Sequence, residues 1–195
     1  MFPNPETRAS LSSGDPRLTV RHGDRWLGHD HLLFPDVSRF AEILTPNVCV
    51  VVHPGWYGQK YQEWNDERYV QYQIALRKEV AQAHHRGETI LAWVDDAMLD
   101  SAQRMMGVDD RAPIVYMPTW EKTGNPTDLN IDLLGIHDES PVWDAILGTV
   151  ARANIIGEYY HPDNPRRGCV SAVAWKFQRQ SVNVSVLAHA TFRNT

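Results

Sequence analysis

Cys169 opens the segment CVSAVAWKFQR directly after Gly168, and Val170, Val173, Ala174 and Phe177 follow at helical spacing. A cysteine at the first position of a helix meets unpaired backbone N–H groups and the positive end of the helix dipole, both of which favour thiolate over thiol. Arg166 and Arg167 just upstream push in the same direction. This is the setting of a nucleophilic thiol, with the amides at the helix start available to an oxyanion. The same placement also suits a small core residue, because free cysteine is among the most buried residue types. Cys49, inside the apolar run NVCVVV, reads as core filling.

A thiol nucleophile needs a base, and His53 begins the distinctive segment HPGWYG. Pro54, Gly55 and Gly58 impose an unusual backbone there, while Trp56 and Tyr57 offer flat surfaces either to a planar ligand or to the sheet edge. The glycine spacing matches neither a P-loop nor GxGxxG, and no Lys-Ser or Lys-Thr pair follows, so a phosphate cradle is unsupported. His189-Ala190-Thr191 has the HxT form of two-histidine phosphoesterases, but no other His has Ser or Thr two residues on, and that chemistry needs two copies. His22, Asp24, His29, Asp30 and His31 form the densest group of potential metal ligands. Their spacing fits no established ligand motif, so no metal and no cofactor are assigned. His84 and His85 lie in the last turn of a helix, where cationic groups are favoured without any further role.

These residues are positioned by a regular alternation of elements. Residues 1–16, rich in Pro, Ser and Gly, read as an extended arm, and residues 17–33 as a short hairpin turning at Gly23 and Asp24. The β-branched run Asn47 to Val52 predicts a strand buried on both faces and stopped by Pro54 and Gly55. Asn65, Asp66 and Glu67 predict a helix start, and Tyr69, Tyr72, Leu76, Val80 and Ala83 form one face up to the stop at Gly87. Strands follow at Thr89 to Val94, Pro113 to Met117 and Asn154 to Tyr160. The helices between them carry Met98, Ala102 and Met105, then Trp143, Ile146, Leu147 and Val150. A helix over 168–179 and a half-buried strand through Val182, Val184 and Val186 complete the chain, the last strand free to pair either parallel or antiparallel at an edge.

This order predicts a single α/β domain of three layers, a mostly parallel sheet with helices on both faces. In such sheets ligands sit beyond the carboxyl ends of the strands. The residues following the predicted strands are His53 to Gly58, Asp95 and Asp96, Thr119 to Lys122, His161 and Asp163, and His189 and Thr191. They supply side chains for acid and base work, with Trp56, Tyr57, Trp120 and His161 available to hold a ligand.

Nineteen Lys and Arg against 24 Asp and Glu give a net charge of −5, which offers no general field for a phosphate backbone or an anionic lipid surface. No apolar run is long enough to span a bilayer, and MFPNPETRASLSSGDPR lacks the order of a secretory signal. With only two cysteines, a cytoplasmic protein in a reducing compartment is expected.

The stretches IIGEYY, GCVSAVAWKFQRQ and SVNVSVLAHATF together resemble the C-terminal section of isochorismatase-like cysteine hydrolases, with Cys169-Val170 in the nucleophile position. The specific match is the short one around Cys169. VCVVVHPGWYG would correspond to that family's first strand. The resemblance implies a catalytic Asp where this chain has His53, and a catalytic Lys for which Lys122 is the positional counterpart. The segment HPDNPRR also sets Cys169 further from its strand than in that family.

The leading expectation is a hydrolase of a small amide, ester or related substrate, with Cys169 as nucleophile, His53 as base, and Asp95 or Lys122 orienting or polarising. The alternatives are a non-catalytic small-ligand-binding module of the same architecture, and an assembly protein whose arm before Arg17 docks on another copy.

Overall fold

The valines of NVCVVV form β1 (Asn47–Val52), and their alternation sends them into two different cores. Val48, Val50 and Val52 face one side of the sheet, Cys49 and Val51 the other. A strand apolar on both faces must be covered on both, and it is. The structure is a computed structural model that describes residues 42, 44–95, 99–107, 114–119, 141–161, 163 and 168–193. The arm and hairpin expected before Leu33 lie outside the described residues.

β1 is joined in one sheet by β2 (Thr89–Asp95), β3 (Ile114–Thr119), β4 (Arg152–Glu158) and β5 (Asn183–Phe192). The order is β3-β2-β1-β4-β5, and every pairing is parallel, including that of β5 at the edge. The described helices are α1 (Trp56–Tyr61), α2 (Glu67–His85), α3 (Leu99–Met106), α4 (Pro141–Thr149) and α5 (Cys169–Arg179). Leu76, Val80 and Ala83 of α2 with Ala102, Met105 and Met106 of α3 cover one face. Ile146 of α4 with Val170, Val173 and Phe177 of α5 covers the other. This is the three-layer α/β arrangement the alternation of elements predicts.

Local chemistry sets the boundaries. Asp66 caps α2 by accepting the Tyr69 N–H at 2.9 Å, and Gly87, at φ 71°, ends it with its N–H on the His84 carbonyl. HPGWYG does more than turn: its second half is α1, begun by Gly55 at φ 87°. β4 starts at Arg152 and ends at Glu158, two residues ahead of the predicted strand at each end.

The largest difference lies in β5, which runs past Val186 to Phe192. Ile155 pairs with Val186, yet Gly157 pairs with Thr191, so β5 carries extra residues in a bulge. The bulge changes which side the strand serves. Val184 and Val186 pack on the core under α5, whereas Leu187, Ala190 and Phe192 pack on the core under α2. Simple alternation through Val186 carries no sign of this.

No helix among the described residues is long and apolar enough to cross a membrane.

Candidate functional site

In the order β3-β2-β1-β4-β5 the chain moves outward from β1 in one direction and from β4 in the other. The connections therefore part company at the carboxyl ends of β1 and β4, where open α/β sheets form a crevice.

The two strands come unusually close there. Val52 and Gly157 are register partners, and a Cβ on Gly157 would lie 2.2 Å from the Val52 carbonyl oxygen. Beyond Val52 the chain takes a left-handed step at His53, φ 48°, whose N–H still donates to the Trp93 carbonyl at 2.8 Å. Gly55 then fits where any side chain would press on the Ser101 backbone of α3.

The loop is held from β4 by Glu158. Its Oε1 accepts the Gly55 N–H and the Tyr69 hydroxyl, both at 2.7 Å, and its Oε2 accepts the Tyr57 N–H at 2.6 Å. Glu158 is 0% exposed and forms no ion pair among the described residues. Burial pushes its carboxyl from the ordinary 4.5 up to about 7, against the downward pull of those three bonds. The Tyr69 hydroxyl is driven far above its usual range by burial and then by the Glu158 charge. A buried carboxyl that titrates near neutrality at a strand crossover is where acid and base work is commonly found.

Cys169 is the first residue of α5, as expected, and Gly168 before it has φ 92°. The thiol, however, is 2% exposed and belongs to the core beneath α5. Burial raises it well above the usual thiol range, the Glu158 charge adds to the rise, and only its own backbone N–H opposes it. The thiolate-favouring environment expected of a helix start is thus reversed, because desolvating a charge outweighs a few partial charges at the helix end. Arg166 and Arg167 lie outside the described residues. Cys49 is likewise buried, its thiol pushed up to about 12 by burial and then by the Glu88 charge, which fits core filling.

His53 is 4% exposed, and burial lowers its imidazole to about 4, leaving it neutral at pH 7. Trp56, 3% exposed, is packed edge-on against Tyr159 at 4.9 Å with the Lys60 ammonium 4.2 Å above its ring. Its faces are therefore taken by the protein itself. Tyr57 is half-buried, its ring among Tyr61, Tyr69 and Phe192 and its hydroxyl on the Glu63 carboxylate.

His161 is half-buried and fastened to α5: its N–H donates to Ser171 Oγ at 3.1 Å, and that hydroxyl donates back to the His161 carbonyl at 2.9 Å. Its ring lies against Gly168, where a Cβ would come within 2.9 Å of the imidazole carbon.

The fold thus gathers His53, Trp56, Tyr57, His161 and Cys169 at one edge of β1 and β4. Asp95 ends the neighbouring β2, paired in register with Thr119. Trp120 and Lys122 lie outside the described residues. His189, by contrast, is drawn away: it sits within β5 and its imidazole meets Glu79 of α2 at 2.9 Å.

Glu158, Tyr69 and Ser171 are the site residues that sequence reasoning passes over. One signal exists for Glu158, a lone acid in the run IIGEYY, but Tyr69 reads simply as part of the apolar face of α2.

No three His, Cys, Asp or Glu among the described residues are grouped so as to hold a metal. The cluster from His22 to His31 is outside them. No protein-family model matches this chain, and no curated protein matches it either.

Proposed function

We propose that this chain binds a small molecule at the carboxyl ends of β1 and β4 without forming a covalent bond to it. The crossover of the sheet order between these strands carries the reading, because it gathers the loops bearing His53, Tyr57 and His161 around one crevice position. The ligand class follows from what is already occupied. The Gly55 and Tyr57 amides that follow β1 donate to Glu158, so they are not free for a phosphate. Tyr61, 44% exposed, and half-buried Tyr57 offer ring surface instead. An uncharged planar compound fits that lining.

NMR titration with uncharged aromatic fragments tests this. At least one fragment is expected to saturate, shifting resonances of Tyr57, Tyr61 and His161, and to lose its binding in Tyr61→Ala. Fragments that bind only elsewhere, or none at all, would remove the proposal.

A second reading keeps the hydrolase expectation. It assigns Cys169 as nucleophile toward a small amide or ester, and it is favoured by the position of Cys169 at the first residue of α5 on this same edge. Burial of the thiol ranks it second. In the native protein Cys169 is expected to react with iodoacetamide at least about tenfold more slowly than in denaturant, resolved from Cys49 by peptide mass mapping. Faster alkylation in the native state, with p-nitrophenyl acetate turnover lost in Cys169→Ala, would reverse the ranking. Two free, buried cysteines fit a reducing compartment, and a cytoplasmic location belongs to both readings.

A further inference from the structure

The Glu158 carboxylate hydrogen-bonds the end of β4 to the first turn of α1, beside the Trp56–Tyr159 ring contact, and every one of its three partners among the described residues is a donor. Two of those donors are backbone N–H groups, which cannot reverse their role. The third, the Tyr69 hydroxyl, can rotate. A carboxylate offers two strong acceptor oxygens to the three donors, whereas protonation turns one of them into a hydroxyl oxygen, which carries a hydrogen of its own and accepts only weakly.

We propose that Glu158 is a proton-operated latch on the loop joining β1 to α1: ionised, it fastens the amides of Gly55 and Tyr57, and protonated, it releases Tyr57. Tyr57 is the one released because Oε1 already takes two donors while Oε2 takes only one, so the proton goes to the open site on Oε2 and leaves the Tyr57 N–H facing a weak hydroxyl acceptor. The released amide lies in the first turn of α1, whose later residues Lys60 and Tyr61 make contacts to Trp56.

The surroundings leave the switch to this one group. From α2, Tyr69 and Tyr72 face it, both raised by burial and by its charge, and so neutral. Just past β4 comes Tyr159, and from α5 comes Cys169, both raised by burial and by the Glu158 charge. His53, on the latched loop itself, is neutral down to about pH 4. The side of β5 contributes the Phe192 ring, and the Tyr57 hydroxyl is turned to Glu63. No Lys or Arg pairs with Glu158 among the described residues. The midpoint near pH 7 follows from burial without a counter-ion. This inference is independent of the proposed ligand, since it concerns the loop alone.

Amide NMR of the full chain from about pH 5 to about pH 9 tests it. The Gly55 and Tyr57 amide resonances should titrate together. On the acid side, the protection of the Tyr57 amide against hydrogen exchange should fall about tenfold. Both changes should vanish in Glu158→Gln. Tyr69→Phe removes one bond to the charged form and should move the midpoint up by about one pH unit, which keeps the test available if the Gln variant does not fold. Flat resonances in the parent chain, protection that does not follow pH, or an unmoved midpoint in Tyr69→Phe would each overturn the latch.

Discussion

Gly157→Ala is expected to leave no folded protein under conditions where the parent chain is folded, with both followed by far-ultraviolet circular dichroism and urea titration. The added methyl would sit 2.2 Å from the Val52 carbonyl oxygen and 2.6 Å from the Val52 nitrogen, both in the backbone of the adjacent strand. Neither atom can rotate aside, and the site needs φ 129°, a conformation that alanine strongly disfavours. β1 and β4 would have to part at the centre of the sheet, directly over the attachment made by Glu158. The loss should exceed about 4 kcal/mol, in the range reserved for strain and disrupted cores. Gly87→Ala provides the comparison, since that glycine also has positive φ, 71°, but meets nothing within 4 Å. It should cost only about 1 to 2 kcal/mol. A Gly157→Ala protein as stable as the Gly87→Ala one would show that the close approach of these strands is not needed.

The second expectation concerns two buried groups of opposite sign. Glu158 is raised from 4.5 to about 7 on folding, so between those values the native state holds a proton that the unfolded chain has lost. Its contribution to stability is fully present below pH 4.5 and disappears as pH rises through 7. His53 is lowered from 6.5 to about 4, so between those values the unfolded chain holds the proton. Its contribution is present above pH 6.5 and disappears as pH falls through 4. Each amounts to roughly 3 kcal/mol at about 1.4 kcal/mol per tenfold change in proton affinity. Across the overlap, from 4.5 to 6.5, the two slopes cancel.

The parent chain should therefore look insensitive to pH in that window, while two substitutions should reveal opposite slopes. Glu158→Gln should gain stability as pH rises from 4 to 6.5. His53→Asn, which keeps a residue tolerant of φ 48°, should lose stability as pH rises from 4.5 to 7. Urea unfolding at a series of pH values measures both. Parallel profiles for the two variants would mean that these groups are not the ones titrating. If the latch holds as well, the loop at Tyr57 is tightest where the Glu158 contribution to global stability has disappeared.

Much of the architecture is legible from residue order because its signals are strong and local. Five β-branched or apolar runs alternate with helical periodicities, Asp66 and Gly87 bound α2, and the double-faced burial of β1 is written in NVCVVV. The bulge in β5 is not legible, since the shift of register is decided by where Phe192 finds room among Tyr57, Tyr69 and Tyr72. The site is half legible. His53, Tyr57 and His161 are found because strand ends are found, and Cys169 because a helix start is, but whether a side chain there faces water or hydrocarbon depends on packing between distant segments. That is why a helix-start cysteine can be sealed and raised rather than activated. Glu158 escapes notice for the converse reason, as its importance lies in two main-chain donors roughly a hundred positions away, to which side-chain identity gives no clue.

The side-switching strand at the sheet edge has a mechanical meaning. Because one continuous segment from Val184 to Phe192 inserts first into one apolar layer and then into the other, neither layer can dissolve while its counterpart persists without tearing that segment in two. The described layers are thereby made a single cooperative unit, and heat should melt them together rather than one after the other.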